Sequence, residues 1–167
     1  MERTMQKTSF ALLSLVTLLL GCFGGGADRD YEDAMKLYNA GDYVNAMPIM
    51  TKSAQNGNID AQFYLGVMYS YTTGEMQDLT MALHWFSEAA NAGHIHAANN
   101  LGIAYYNGYG VVRDYKAAFR WFHIAAKGGN AEAQSYVAKM YREGQGMEAP
   151  NAVQADYWLK KSASTGN

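Results

Sequence analysis

The 167-residue sequence predicts an all-α chain of repeated helix pairs, and three observations carry that expectation. Landmark residues return at an interval of 36, apolar positions within each interval fall at helical spacing, and the composition sets 17 Gly and many Ala against 2 Pro. A period of this length marks units that cannot bury a hydrophobic face alone and must stack on their neighbours. Composition narrows the field further. A net charge of −2, from 13 basic and 15 acidic residues, excludes the strongly basic footprint of sequence-independent nucleic-acid binding. With 49% hydrophobic and 17% charged residues the chain is too apolar for disorder and sufficient for a core. The single cysteine rules out a disulfide framework or a cysteine-based zinc site within one chain.

Residues 1–21 read as a signal peptide. Arg3 and Lys7 precede an uncharged run from Phe10 to Leu20, about half the ~20 apolar residues that a membrane-spanning helix needs. The run ends in Leu19-Leu20-Gly21-Cys22, which resembles the lipobox of bacterial lipoproteins and implies lipidation of Cys22. The alternative is an ordinary cleavage site beside a free thiol. Residues 22–29 are expected to be a flexible tether, because Phe23-Gly24-Gly25-Gly26-Ala27 has no periodicity. A cysteine carrying more than one acyl chain anchors stably. In lipoproteins of this kind Asp after the cysteine signals inner-membrane retention, so Phe23 implies the outer membrane, with the domain facing the periplasm.

Residues 30–58 predict a helix, a tight turn and a second helix, from Ala34, Leu37 and Tyr38, then Gly41-Asp42-Tyr43, then Ala46, Met50 and Ala54. Three longer units follow at 59–94, 95–130 and 131–167. Ala61, Ala97 and Ala133 are 36 apart, as are Leu65, Leu101 and Val137, then Tyr69, Tyr105 and Tyr141, then Gly74, Gly110 and Gly146. Gly66 and Gly102 lie in mid-helix, where Gly costs about 1 kcal/mol against Ala, so another helix is expected to pack closely there. Asp78 and Asp114 stand where an N-cap accepts backbone N–H groups, and Gly93 and Gly129 fit the positions just past a helix end. Beyond the third loop the register slips to 37, at Trp158, Ala163 and Gly166, which places one inserted residue between Met147 and Asn151.

The motifs Leu101-Gly102, Tyr105, Gly108, Gly110-Val111, Asp114-Tyr115, Ala117, Trp121-Phe122, Ala125-Ala126 and Gly129 closely resemble Sel-1-like repeats, and residues 30–58 look like a tetratricopeptide unit. The third unit departs, with Val137-Ala138 for Leu-Gly and Asn151 for Asp. The resemblance implies a short right-handed α/α solenoid that binds a protein or peptide on a surface built mostly from the first helix of each pair. That face is expected to carry Tyr31, Met35 and Tyr38; Phe63, Val67, Ser70 and Tyr71; Asn99, Ile103 and Tyr106; and Ser135, Lys139 and Arg142. Tyr69, Tyr105 and Tyr141 belong to the repeat pattern and are expected to be structural. For Phe63, Tyr71 and Tyr106, binding a partner and filling gaps between helices are both open.

No catalytic or metal motif stands out. His94 and His96 supply two ligands where zinc wants three or four, and His94 holds the turn position that Asn130 holds one unit later. His84 and His123 have no serine or cysteine at nucleophile spacing. No cofactor is expected, and the glycines sit at repeat turns rather than in a phosphate loop. The third unit ends without a polar cap, so Tyr157, Trp158 and Leu159 are expected either to turn inward or to stack on a partner or second copy. Small lipidated proteins with such repeats resemble those that protect Gram-negative bacteria from secreted effectors such as type VI phospholipases. The expectation is therefore a non-enzymatic immunity protein. The alternatives are a scaffold for envelope or exopolysaccharide-export machinery, and an envelope enzyme with an unrecognised site.

Overall fold

The computed structural model describes residues 25–71 and 77–165, and Cys22 and Gly74 lie outside them. The described residues form α1 (25–39), α2 (Tyr43–Gln55), α3 (Ile59–Tyr71), α4 (Leu79–Asn91), α5 (Ile95–Asn107), α6 (Tyr115–Lys127), α7 (Ala131–Glu143) and α8 (Ala152–Thr165). No strand occurs among them, so the chain has the expected all-α, helical-repeat class. It divides into two compact units, up to Ala61 and from Gln62.

In the first unit α1 packs on α2. The expected tether is shorter than the sequence suggests, because the helix already begins at residue 25. Ala27 is buried, its carbonyl accepts the Ser53 hydroxyl at 2.6 Å, and Asn58 Nδ2 donates to Asp28 at 3.0 Å. These long-range contacts fix residues whose local sequence, rich in glycine, carries no helical signal. The turn at Gly41 is closed by Asp42 N–H to Leu37 O at 2.9 Å, and the Asp42 carboxylate caps α2 at Asn45 N–H.

In the second unit the helix pairs share a core of small side chains around Phe86, Leu101, Phe122, Val137, Met140 and Trp158. Close approach is the reason for the mid-helix glycines. A Cβ on Gly66 would lie 2.4 Å from the Phe86 ring, and one on Gly102 would lie 2.5 Å from Phe122. In the third pair Ala138 stands in the glycine's register, and Leu159, exposed where Phe86 and Phe122 are buried, stands in the phenylalanine's. Loops are closed by one recurrent bond: the N–H of Asp78, Asp114 and Asn151 donates to Tyr69, Tyr105 and Tyr141 O at 2.9, 2.9 and 2.7 Å. Each of those residues then caps the following helix with its side chain. The inserted residue lies inside the third such closure.

Between pairs, the Gly110 loop lies against Leu79, the first residue of α4, and the Gly146 loop lies against Tyr115, the first residue of α6. Cβ atoms there would come within 2.7 and 2.5 Å of these neighbours. The same contact thus recurs one repeat on. At the end of the second unit the outcome is split: Trp158 is buried, whereas Tyr157 and Leu159 are exposed.

Gly102→Ala is expected to lose about 1–3 kcal/mol by overpacking, despite the better helix propensity of Ala. Adding Phe122→Leu, which removes the ring that the new methyl meets, should recover part of that loss. Urea unfolding followed by circular dichroism measures both; a G102A protein more stable than the parent would refute the close-contact account.

Candidate protein-binding surface

The surface expected to bind is built from the first helices of the pairs, and their orientation is set by caps. Asn58 Oδ1, His94 Nδ1 and Asn130 Oδ1 accept from the N–H three residues on, at Ala61, Ala97 and Ala133, with separations of 2.7, 3.2 and 2.8 Å. His94 is thus a cap in the same register as the asparagines. Its ring also stacks on Phe63 at 4.3 Å and 17°. His96 Nδ1 lies 3.3 Å from the Asn130 amide, and no group of three or more potential metal ligands exists among the described residues.

In the first unit Tyr31, Met35 and Tyr38 are half-buried on α1, and the Tyr38 ring meets Tyr43 edge-on at 5.3 Å. In the second unit the expected face sorts into three kinds of position. Tyr71 is 75% exposed, and Ser135, Lys139 and Arg142 are exposed on α7. Phe63, Val67, Ile103 and Tyr106 are half-buried and pack against the core. Ser70 is half-buried, its hydroxyl turned back onto the Gly66 carbonyl. Asn99 corrects the sequence reading: it is 3% exposed and donates from Nδ2 to Glu132 Oε2 at 2.8 Å. It ties α5 to α7 instead of facing a partner.

Phe63 and Tyr106 both fill gaps between helices. Tyr106 meets Tyr115 and Tyr136 edge-on at 5.2 and 5.4 Å, and Lys139 Nζ stands 5.3 Å from its ring centre. A hydrogen bond to Tyr106 and the attraction of that phenol raise the Lys139 ammonium above its ordinary range, so it stays charged beside the rings. Burial, then the charge of Glu132, raises the Tyr136 phenol. The surface near α7 is thus aromatic with a fixed positive charge, suited to an acidic or aromatic partner.

One feature lay outside the sequence reading. A pocket of about 290 Å³ opens in the second unit, walled by Ala82, Leu83 and Phe86 of α4 and by Asn100, Ile103 and Ala104 of α5. The exposed rings of Tyr71 and Tyr109 border it. Its second-helix residues were missed because the expected face was drawn from first helices alone.

Stacked helix pairs that present such a surface define a protein-interaction scaffold. The chain belongs to the Sel1 repeat family, whose profile matches residues 17–40, 59–94, 95–130 and 131–167. The last three coincide with the repeats read from the sequence; the first overlaps the N-terminal apolar run and α1. Sel1 repeats generally mediate protein–protein interaction, and proteins built from them are generally non-enzymatic. Similar solved structures include a Sel1 repeat protein from Oxalobacter formigenes, 28% identical, with TM-score 0.68 over 71% of this chain and 90% of that one. Another is c5321, a protective antigen of uropathogenic Escherichia coli strains with the same repeat fold, 30% identical, with TM-score 0.79 over 92% of this chain. This chain spans 33% of that protein's length. Cysteine-rich protein B of Helicobacter pylori shares the fold at 19% identity, with TM-score 0.56 over 71% of this chain and 89% of that one. No curated protein sequence matches the chain.

His123 offers a pH test of the second unit. Burial, then the charge of Lys127, lowers its pKa below the ordinary 6.5, and its ring stacks on Phe119 and meets Trp158 edge-on. The folded state therefore favours the neutral ring more than the unfolded chain does. Its contribution is present above pH 6.5 and is lost as pH falls through the lowered folded value. Thermal unfolding between pH 7.5 and 5 should show a fall in Tm that is shallower in His123→Gln; equal slopes would refute this. Separately, His94→Ala should cost about 1 kcal/mol through the lost cap, and His94→Asn should restore it. Unfolding of both variants in urea decides the point.

Proposed function

We propose that the chain is a lipid-anchored envelope protein, attached through Cys22 and facing the periplasm, that neutralises a secreted antibacterial effector by covering its active site or substrate entrance. The observation that carries the reading is the exposed ring of Tyr71 and the exposed cations Lys139 and Arg142 on first helices of an interaction repeat, behind an N-terminal lipobox-like motif. Rigid aromatics bury contact area at low entropic cost and arginine is enriched at interface hot spots, which suits a steric inhibitor. A domain held at the membrane surface by its lipid meets an effector where that effector arrives.

Affinity capture from the source organism's envelope and secreted fractions tests this. One secreted enzyme should be retained, and its activity should fall on titration with the captured chain. Tyr71→Ala with Arg142→Ala should weaken retention at least tenfold at unchanged Tm, because both side chains are exposed. Phe63→Ala should instead lower stability, by about 2–4 kcal/mol, since its ring is packed against His94 and the core. Recovery of several envelope-assembly proteins would replace the immunity reading with that of a scaffold.

A further inference from the structure

The pocket between α4 and α5 exists because the second repeat lacks two large side chains that both of its neighbours carry. At one register position stand Tyr64, Asn100 and Tyr136, and four residues on stand Met68, Ala104 and Met140. Met68 and Met140 are buried at 1% and 0% exposure, so the sulfur-bearing chain ordinarily fills this part of the repeat. Asn100 and Ala104 leave it unfilled, and both wall the pocket. One repeat later the equivalent space is occupied. Tyr136 lies flat on Phe122, with ring centres 4.4 Å apart and planes at 5°, and Tyr106, itself edge-on to Tyr115, meets it edge-on at 5.4 Å. The residue in Phe122's register is Phe86, and Phe86 forms a wall of the pocket.

We propose that this pocket takes the aromatic side chain, tyrosine above all, of a protein partner, with its ring stacked on Phe86 as Tyr136 is stacked on Phe122. The fold thus contains its own picture of the bound state. An apolar cavity of about 150 Å³ accommodates benzene, so about 290 Å³ is ample for a phenol ring. The walls Ala82, Leu83, Phe86 and Ile103 supply apolar contact on the ring's faces, and Ser70, Gln77 and Asn100 supply polar groups for the hydroxyl and the flanking peptide. The pocket also adjoins Tyr71, so the same partner touches both. The inference deepens the proposed function and rests on its premise that the ligand is a protein, while making no use of the partner's identity.

The test uses the full chain and a blocked pentapeptide, acetyl-Gly-Gly-Tyr-Gly-Gly-amide, with its Leu and Ala counterparts and p-cresol as comparisons. The tyrosine peptide is expected to shift the methyl resonances of Leu79, Leu83 and Ile103 and to bind at least tenfold more tightly than the Leu or Ala peptide. Asn100→Tyr and Ala104→Met each rebuild a missing plug. Each should weaken that binding at least tenfold and raise Tm; if Asn100→Tyr fails to fold, Ala104→Met carries the test. Absence of the methyl shifts, equal binding of the Leu peptide, or undiminished binding in the plugged variants would overturn the proposal. So would binding of p-cresol with exclusion of the pentapeptide, which assigns the pocket to a free phenol. Capture that recovers no effector while the peptide binds the pocket would sink the immunity reading alone, and the reverse result would sink the pocket alone.

Discussion

The contact between a mid-helix glycine and a phenylalanine of the paired helix is the constraint on which the second unit depends. Gly66 with Phe86 and Gly102 with Phe122 let a ring lie against bare backbone, so that two helices approach more closely than any side chain permits. Everything else in the repeat is compatible with that separation. The alanines at 89, 90, 125 and 126 are buried because nothing larger fits beside helices so near one another. The third repeat changes both positions: Ala138 stands in the glycine's register and is buried, while Leu159, in the phenylalanine's, is exposed. A glycine that is costly by helix propensity is therefore held by tertiary contact.

Hydrogen bonds at the helix ends carry the second level of order. The N–H of His94 reaches Ala89 O, that of Asn130 reaches Ala125 O, and that of Asn58 reaches Ser53 O, at 2.9, 3.0 and 3.2 Å. Each is accompanied by a left-handed glycine, at Gly93, Gly129 and Gly57. The residue that closes one helix in this way is also the one whose side chain caps the next, so a single position sets the angle between successive helices. That dual duty explains how a histidine can stand in a series of asparagines. What the turn needs is an acceptor of about the right reach, and imidazole Nδ1 provides it.

Much of this was legible because the repeat states each position several times. The glycine approach, the Asp78 and Asp114 caps, the αL glycines and the one-residue slip before Asn151 all follow from comparing registers, and each is present. The exposure of single side chains was less legible. A helical-wheel argument places Phe63, Asn99 and Ser135 on one face, yet Phe63 stacks on His94, Asn99 is buried against Glu132, and only Ser135 is exposed. Periodicity gives the direction of a side chain, while the neighbouring repeat decides whether that direction is covered. Helix formation from residue 25 was hidden for a related reason, since Ala27 is held by Ser53, 26 residues away. The pocket has its own sequence signal, since Asn100 and Ala104 break a register that their neighbours keep.

The third loop closure reaches beyond its own repeat. Asn151 N–H meets Tyr141 O at 2.7 Å although the chain between them is one residue longer than between Asp114 and Tyr105, whose bond is 2.9 Å. Both ends of the excursion are clamped, so the extra length shows in the exposed stretch 148–150 and the helices on either side keep their faces. Closing such a loop grows costlier only with the logarithm of its length, about 0.6 kcal/mol per doubling. Between Met147, which packs against the core, and Pro150, the exposed residues Glu148 and Ala149 are in effect a docking port: a short graft of foreign sequence there would be displayed on a rigid stem.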